Sequence, residues 1–222
     1  MSTIALTGQK GGGGKSTVAM SVAAEALARG LRVLLVDADP QGTSRTWGAV
    51  ALEAGHPTPT VVGMGADLHK PGQLPALAHG FDLVLVDCPP RHADVQRAAL
   101  MVADLAILPS GPSANDVWAL AESVELVKAA QRIRPELKAV ALVTRKVPNT
   151  VIGAAAREAL AAVGLPLLKT ELGFRVAYQE APAAGLGVCQ YAPTSEAADE
   201  MRALTSEVLA LLKLTAKSKR RK

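Results

Sequence analysis

Aromatic residues are scarce in this 222-residue chain: two Trp, two Tyr and two Phe, or 3%. That excludes functions built on stacked rings, such as a platform for single-stranded nucleic acid or a cage for quaternary ammonium ligands. Cysteine is as rare. Cys88 and Cys189 are too few and too far apart for a disulfide framework or a four-thiolate zinc site, which fits a reducing compartment. The four histidines, His56, His69, His79 and His92, show no metal-ligand spacing and read as surface residues. No stretch of about 18 uncharged apolar residues occurs, and Met1-Ser2-Thr3-Ile4 lacks the basic start of a secretion signal. A cytoplasmic protein is expected. Charge of one sign is also missing from the body. The net charge of +4 comes from 24 basic and 20 acidic residues, but six of the basics (Lys213, Lys217, Lys219, Arg220, Arg221 and Lys222) follow Leu212, leaving 18 basic against 20 acidic before them. The chain therefore reads as a nearly neutral domain over 1–212 and a basic tail over 213–222, expected to be disordered.

Against these absences stand 49% hydrophobic and only 20% charged residues, the composition of a chain that folds around a core. Short apolar runs at Ile4–Leu6, Leu31–Val36, Phe81–Val86, Leu105–Leu108 and Val140–Val143 are bounded by Gly, Pro or Asp, the pattern of strands buried on both faces. Between them lie helical periodicities, clearest over Asp116–Arg134, where Val117, Leu120, Ala121, Val124, Val127 and Ala130 recur at helix spacing before Pro135. Asn149–Val163 and Ser195–Leu212 read the same way. Alternating strands and helices predict one α/β domain, a mostly parallel sheet with helices on both faces. Residues 54–75, with four prolines and four glycines, read as an irregular excursion.

The most informative stretch is Lys10-Gly11-Gly12-Gly13-Gly14-Lys15-Ser16-Thr17, between a predicted strand and a predicted helix over 16–29. Consecutive glycines let backbone N–H groups converge on an anion, and the helix points its positive end at the same place. Lys15 is placed to reach outer phosphates and the Ser16 hydroxyl to ligate magnesium. Two further carboxylate sites follow predicted strands. Leu34-Leu35-Val36-Asp37-Ala38-Asp39-Pro40 ends in two aspartates that face a ligand crevice if the strand is part of the sheet. Leu83-Val84-Leu85-Val86-Asp87 has the form of a strand whose terminal aspartate binds Mg²⁺ through water. Cys88, with no suitably spaced partner, reads as a small buried residue.

The loop departs from the ordinary phosphate-loop pattern, because Gln9 stands where the first glycine belongs and Lys10 adds a second lysine. Lys10-Gly-Gly-x-Gly-Lys-[Ser/Thr]-Thr closely resembles the deviant Walker A loop of the ParA/MinD ATPases, and Gln9-Lys10 resembles the ParA branch. The resemblance implies a P-loop NTPase-type fold that binds ATP and Mg²⁺ through Gly11, Gly12, Gly13, Gly14, Lys15, Ser16 and Thr17. It also implies an ATP-sandwiched homodimer in which Lys10 crosses to the partner's phosphates. By the family's Asp-x-Asp-Pro-Gln segment, Asp39 positions the attacking water and Asp37 supports the magnesium site, with Ser16 and Asp87 as metal-side residues. Gly13 stands where the family usually has valine or another small residue, which is expected to loosen the loop without removing a phosphate contact. Segments around Arg97–Pro109, Thr144-Arg145-Lys146 and Arg175–Pro182 also resemble small ParA proteins, and Thr144 and Arg145 are expected near the adenine.

In that family the ATP dimer binds nucleoid DNA without sequence preference until a ParB-like or cargo-adaptor partner stimulates hydrolysis. No domain precedes the loop in this sequence, so self-repression of an operon is not expected. DNA contacts fall to Arg175, Arg202 and the tail residues Lys217, Lys219, Arg220, Arg221 and Lys222, giving salt-sensitive, sequence-blind binding. The rival is a MinD-like membrane-positioning ATPase with a C-terminal amphipathic helix. The last predicted helix has a stripe of Ala197, Met201, Leu204, Val208 and Leu211. However, its polar side carries Glu196, Asp199, Glu200 and Glu207 and it lacks an aromatic anchor, so core packing explains the stripe better. A nitrogenase iron-protein relative requires paired cysteines unlike Cys88 and Cys189, and no small-substrate site marks a metabolic ligase or kinase.

Overall fold

The computed structural model describes residues 1–215. Its elements in chain order are β1 (Ser2–Leu6), α1 (Lys15–Ala28), β2 (Val33–Asp37), α2 (Thr43–Glu53), β3 (Thr60–Gly63), α3 (Leu74–Leu77), β4 (Leu83–Asp87), α4 (Ala93–Leu100), β5 (Leu105–Ser110), α5 (Ala114–Ile133), β6 (Lys138–Val143), α6 (Val151–Ala161), α7 (Ala177–Ala183), α8 (Val188–Tyr191) and α9 (Glu196–Leu211). The strands form one sheet in the order β3-β2-β4-β1-β5-β6, and every pair in it is parallel. Because side chains alternate across a strand, each strand feeds two cores. Ile4, Leu6, Leu35, Leu83, Leu85 and Ile107 pack against α1, α2 and α7–α9. Ala5, Leu34, Val36, Val84, Val86 and Leu108 pack against α3–α6. Burial on both faces is why these strands are near-continuous Val/Leu/Ile runs.

The excursion expected over 54–75 is more ordered than its composition suggests. It contains β3, a four-residue edge strand that pairs with β2 from Leu34↔Thr60 to Asp37↔Gly63. An edge strand with one half-exposed face needs no long apolar run, and Pro57 and Pro59 precede it rather than interrupt it. The ordered chain also runs past the expected boundary at Leu212. Lys213 adopts φ +55°, its N–H donates to the Ala210 carbonyl, and the Leu214 N–H donates to that of Leu209. This is a Schellman cap, and Leu214 packs onto the core.

All five strands that bound the central crevice end on the same side, since all are parallel. The loop after β1, Asp37 at the end of β2, Asp87 at the end of β4, Ser110 at the end of β5 and Thr144 after β6 are thereby gathered at one edge, where α/β sheets bind ligands.

Candidate active site

Between β1 and α1 the chain turns through the glycine run. Gly12 (φ +75°) and Gly14 (φ +96°) adopt left-handed conformations that a side chain would strain. At Gly13 an added Cβ would lie 3.0 Å from the Pro109 carbonyl oxygen. The expected slackness at Gly13 is therefore not what the packing shows: the loop backbone lies close against the end of β5. Gly14 caps α1 without a side-chain acceptor and the first turn carries no acid, so its leading N–H groups are left to an anion. Thr144 donates its hydroxyl to the Gly13 carbonyl at 3.0 Å. The Lys15 ammonium donates to the Lys10 carbonyl at 2.9 Å. Burial lowers its pKa, against the opposing pull of Asp87 and other nearby anionic groups.

The three aspartates have different surroundings. Asp37 is buried with both oxygens engaged: Oδ1 accepts from the Asp39 N–H (3.1 Å) and Oδ2 from the Arg45 N–H (2.8 Å). It braces the loop between β2 and α2. Asp39 is half-buried, and its Oδ1 accepts from the Gln41 N–H at 2.9 Å. Asp87 is 0% exposed. Its Oδ2 accepts from the Ser44 hydroxyl at 2.8 Å, but Oδ1 has no partner among the described residues. Burial is the main cause that raises its pKa, to about 6, against the Ser44 hydrogen bond and the pull of the nearby Ser16 hydroxyl and Lys15. Buried polar atoms are rarely left unpaired. An orphaned carboxylate oxygen beside Ser16 and Lys15 fits a hydrated Mg²⁺.

Lys10 lies at the mouth of the loop with its side chain 39% exposed, and its ammonium is 2.8 Å from Asp116 Oδ1. The same oxygen accepts from Arg145 at 2.9 Å, while Ser113 and Asp116 form the capping box that starts α5. Burial, which alone would raise the Asp116 pKa, is outweighed by Lys10, Ser113 and Arg145, and the net shift is downward.

The sequence matches the CobQ/CobB/MinD/ParA nucleotide binding domain over residues 4–188. This chain belongs to that family. It is 33% identical to the maintenance of carboxysome distribution protein A of Halothiobacillus neapolitanus, across 93% of this chain and 96% of that protein. It is 34% identical to the chromosome-partitioning ATPase Soj of Thermus thermophilus, across 93% of this chain and 95% of that protein. Its fold also matches an ATP complex of a Cyanothece McdA variant, with a TM-score of 0.77 at 17% identity, covering 99% of both chains. As a member of the ParA/MinD group the protein is an ATPase whose cofactors are ATP and Mg²⁺.

Beside the phosphate loop of this ParA/MinD ATPase lies a cavity of about 240 Å³ whose lining includes Gly12, Thr17, Thr144, Arg145, Phe174 and Tyr178. Thr144 and Arg145, the residues expected near the adenine, both line this cavity, and Arg145 Nε, like Asp87 Oδ1, is a buried side-chain polar atom without a partner among the described residues. Phe174, which is 58% exposed, carries no signal in the sequence, because its segment is brought to the cavity by pairing with the chain after β6: Gly173 bridges to Lys146 and the Phe174 N–H donates to the Lys146 carbonyl. Gln96 was missed as well. Its buried amide donates to the Pro89 carbonyl (2.8 Å) and accepts from the Thr7 hydroxyl (3.2 Å), tying the chain after Asp87 to β1.

Of the candidate DNA residues, the two among the described residues are both ion-paired with carboxylates of α9. Arg175 lines the cavity and is paired with Glu196 and Glu200. Arg202 pairs with Asp199 at 3.1 Å and donates to the Pro193 carbonyl. Lys217, Lys219, Arg220, Arg221 and Lys222 lie outside the described residues. Cys88 is buried as expected, and its pKa is driven up by burial, which makes it a poor nucleophile. His69, His79 and His92 are exposed and His56 is half-buried.

The state of Asp87 has a measurable consequence. Its folded pKa of about 6 lies above the ordinary 3.8, so between pH 4 and 6 the folded protein holds a proton that the unfolded chain has released. The group's contribution to stability is present at low pH and lost as pH rises through 6, a cost of about 3 kcal/mol above that point at 1.36 kcal/mol per unit. In EDTA without nucleotide, Asp87→Asn should raise the melting temperature at pH 7.5 by about 6 to 12 °C, and the gain should shrink as pH falls from 6.5 to 4. Equal melting temperatures at pH 7.5 would contradict this account of the buried carboxylate.

Proposed function

We propose that this ATPase is a ParA-type positioning protein, dimeric with ATP, which binds DNA without sequence preference and moves a cargo through partner-stimulated hydrolysis. The observation that carries the reading is the pair of lysines in one phosphate loop. Lys15 is buried within the site, whereas Lys10 is partly exposed at its mouth, held by a side-chain carboxylate that a second subunit's phosphates can replace. Within each site Lys15 and the α1 N-terminus would neutralise phosphate charge, Ser16 and Asp87 would hold Mg²⁺, and Asp39 would orient the attacking water. Magnesium bound there would neutralise charge on the outer phosphates. The names of the relatives, carboxysome distribution and chromosome partitioning, support a cargo of a plasmid, a chromosome region or a protein assembly, with a ParB-like or adaptor partner. Cytoplasmic, nucleoid-associated localisation follows from the same reading.

A MinD-like membrane role is less well supported. On α9 the apolar stripe is committed to the core: Ala197, Met201, Leu204 and Val208 are at most 1% exposed, and the half-buried Leu211 packs against the same cluster. Among the described residues no helix is long and apolar enough to cross a membrane.

DNA binding is tested by truncating the chain after Thr215, which spares the α9 cap and removes five cations. If all five meet phosphates, the slope of log K against log salt for ATP-dependent duplex binding drops by about 4 to 5. An unchanged slope removes the tail from the DNA surface. Strong ATP-dependent pelleting with anionic vesicles, without duplex binding, would favour the MinD-like role instead.

A further inference from the structure

Ser44 stands in the first turn of α2, 0% exposed, and donates to Asp87 Oδ2 at 2.8 Å. A carboxylate turns broadly about its last torsion, so a donor fixed on one oxygen decides where the other points. Here the other oxygen is Oδ1, which is buried and unpartnered among the described residues. The serine is itself fixed on both sides, because Asp37 accepts from the Asp39 N–H before it and the Arg45 N–H after it. Gly42, at φ +70°, lets the chain turn into α2 at that point. The loop that carries Asp39 is therefore tied to the end of β4 by a side-chain hydrogen bond between residues 43 positions apart, in addition to the Ala38 N–H, which donates to the Asp87 carbonyl at 3.0 Å.

We infer that Ser44 is a positioning residue for the magnesium site: its hydroxyl holds Asp87 so that Oδ1 meets the ion's water shell, and it keeps the Asp39 loop in register with that carboxylate. The inference rests on Asp87 being the magnesium-side carboxylate. Outer-shell hydrogen bonds of this kind orient the groups that meet a metal, and their loss weakens metal affinity. A serine that merely satisfies a buried polar atom would affect folding stability and leave the magnesium dependence of nucleotide binding unchanged.

The test is the binding of a fluorescent ADP analogue titrated with free Mg²⁺ in wild type, Ser44→Ala, Ser44→Thr and Asp87→Asn, with a parallel measurement in EDTA. Ser44→Ala should move the Mg²⁺ midpoint up by roughly tenfold while leaving affinity in EDTA at the wild-type value. Ser44→Thr, which keeps the hydroxyl, should restore the midpoint. If Ser44→Ala does not fold, Ser44→Cys, similar in volume and a weaker donor, should give a smaller shift in the same direction. A midpoint unchanged in Ser44→Ala but shifted in Asp87→Asn overturns the role of Ser44 alone. A midpoint unchanged in both overturns the assignment of Asp87 and the inference with it. An equal loss of affinity with and without Mg²⁺ in Ser44→Ala also overturns it, since that is the result of a disturbed loop.

Discussion

Lys15→Ala should abolish ATP binding at millimolar nucleotide and lower hydrolysis by at least about a thousandfold, the scale expected when a charged transition-state donor is removed. Lys15 is 7% exposed and its ammonium donates to one backbone acceptor, the Lys10 carbonyl. Burial already penalises that charge in the empty site, so a triphosphate gains a strong, poorly solvated counter-charge on binding. The same fact predicts that the variant stays folded, because removing a desolvated cation relieves a cost instead of adding one. Calorimetric titration of ATP, read beside thermal unfolding, checks both halves. A folded variant that still hydrolyses ATP at a tenth of the wild-type rate would contradict the role given to Lys15.

Asp39→Ala should separate binding from hydrolysis. The residue is half-buried at the crevice edge, beyond the braced Asp37, and a group that orients the attacking water contributes about 10² to 10⁴ in rate. ATP affinity should stay within a few-fold of wild type, and the protein should accumulate as a dimer because release by hydrolysis is blocked. Asp39 also accepts the Gln41 N–H at 2.9 Å, so alanine loosens the turn as well. Asp39→Asn keeps an acceptor there and should be equally slow in hydrolysis. Light scattering after size exclusion with ATP and Mg²⁺ reads the outcome. A monomer at saturating ATP in both variants, or unchanged hydrolysis in the asparagine variant, would count against the assignment.

That the phosphate loop, Asp37, Asp39 and Asp87 lie at one edge was legible in the sequence, because a parallel sheet puts the ends of its strands on the same side. A strand pattern followed by the right residue type is then enough to locate a site. The helices over α1, α5, α6 and α9 were legible within one or two residues for the same local reason. What was not legible depends on contacts far apart in the chain. Lys10 meets Asp116 across 106 positions and Ser44 meets Asp87 across 43, and neither residue type announces such a partner. Ser113-x-x-Asp116 did carry a local signal, the capping-box pattern, which sets the start of α5 two residues before the Asp116 read from periodicity. β3 was hidden because four residues at an edge are too few to show alternation.

The central claim is that the glycine-rich loop binds a triphosphate and brings two copies of the chain together around it. Isothermal titration of ATP with Mg²⁺ into the purified, folded wild-type protein tests it most directly. The expected result is a saturable heat with one nucleotide per chain, absent in Lys15→Ala. No heat above dilution at millimolar ATP would contradict it.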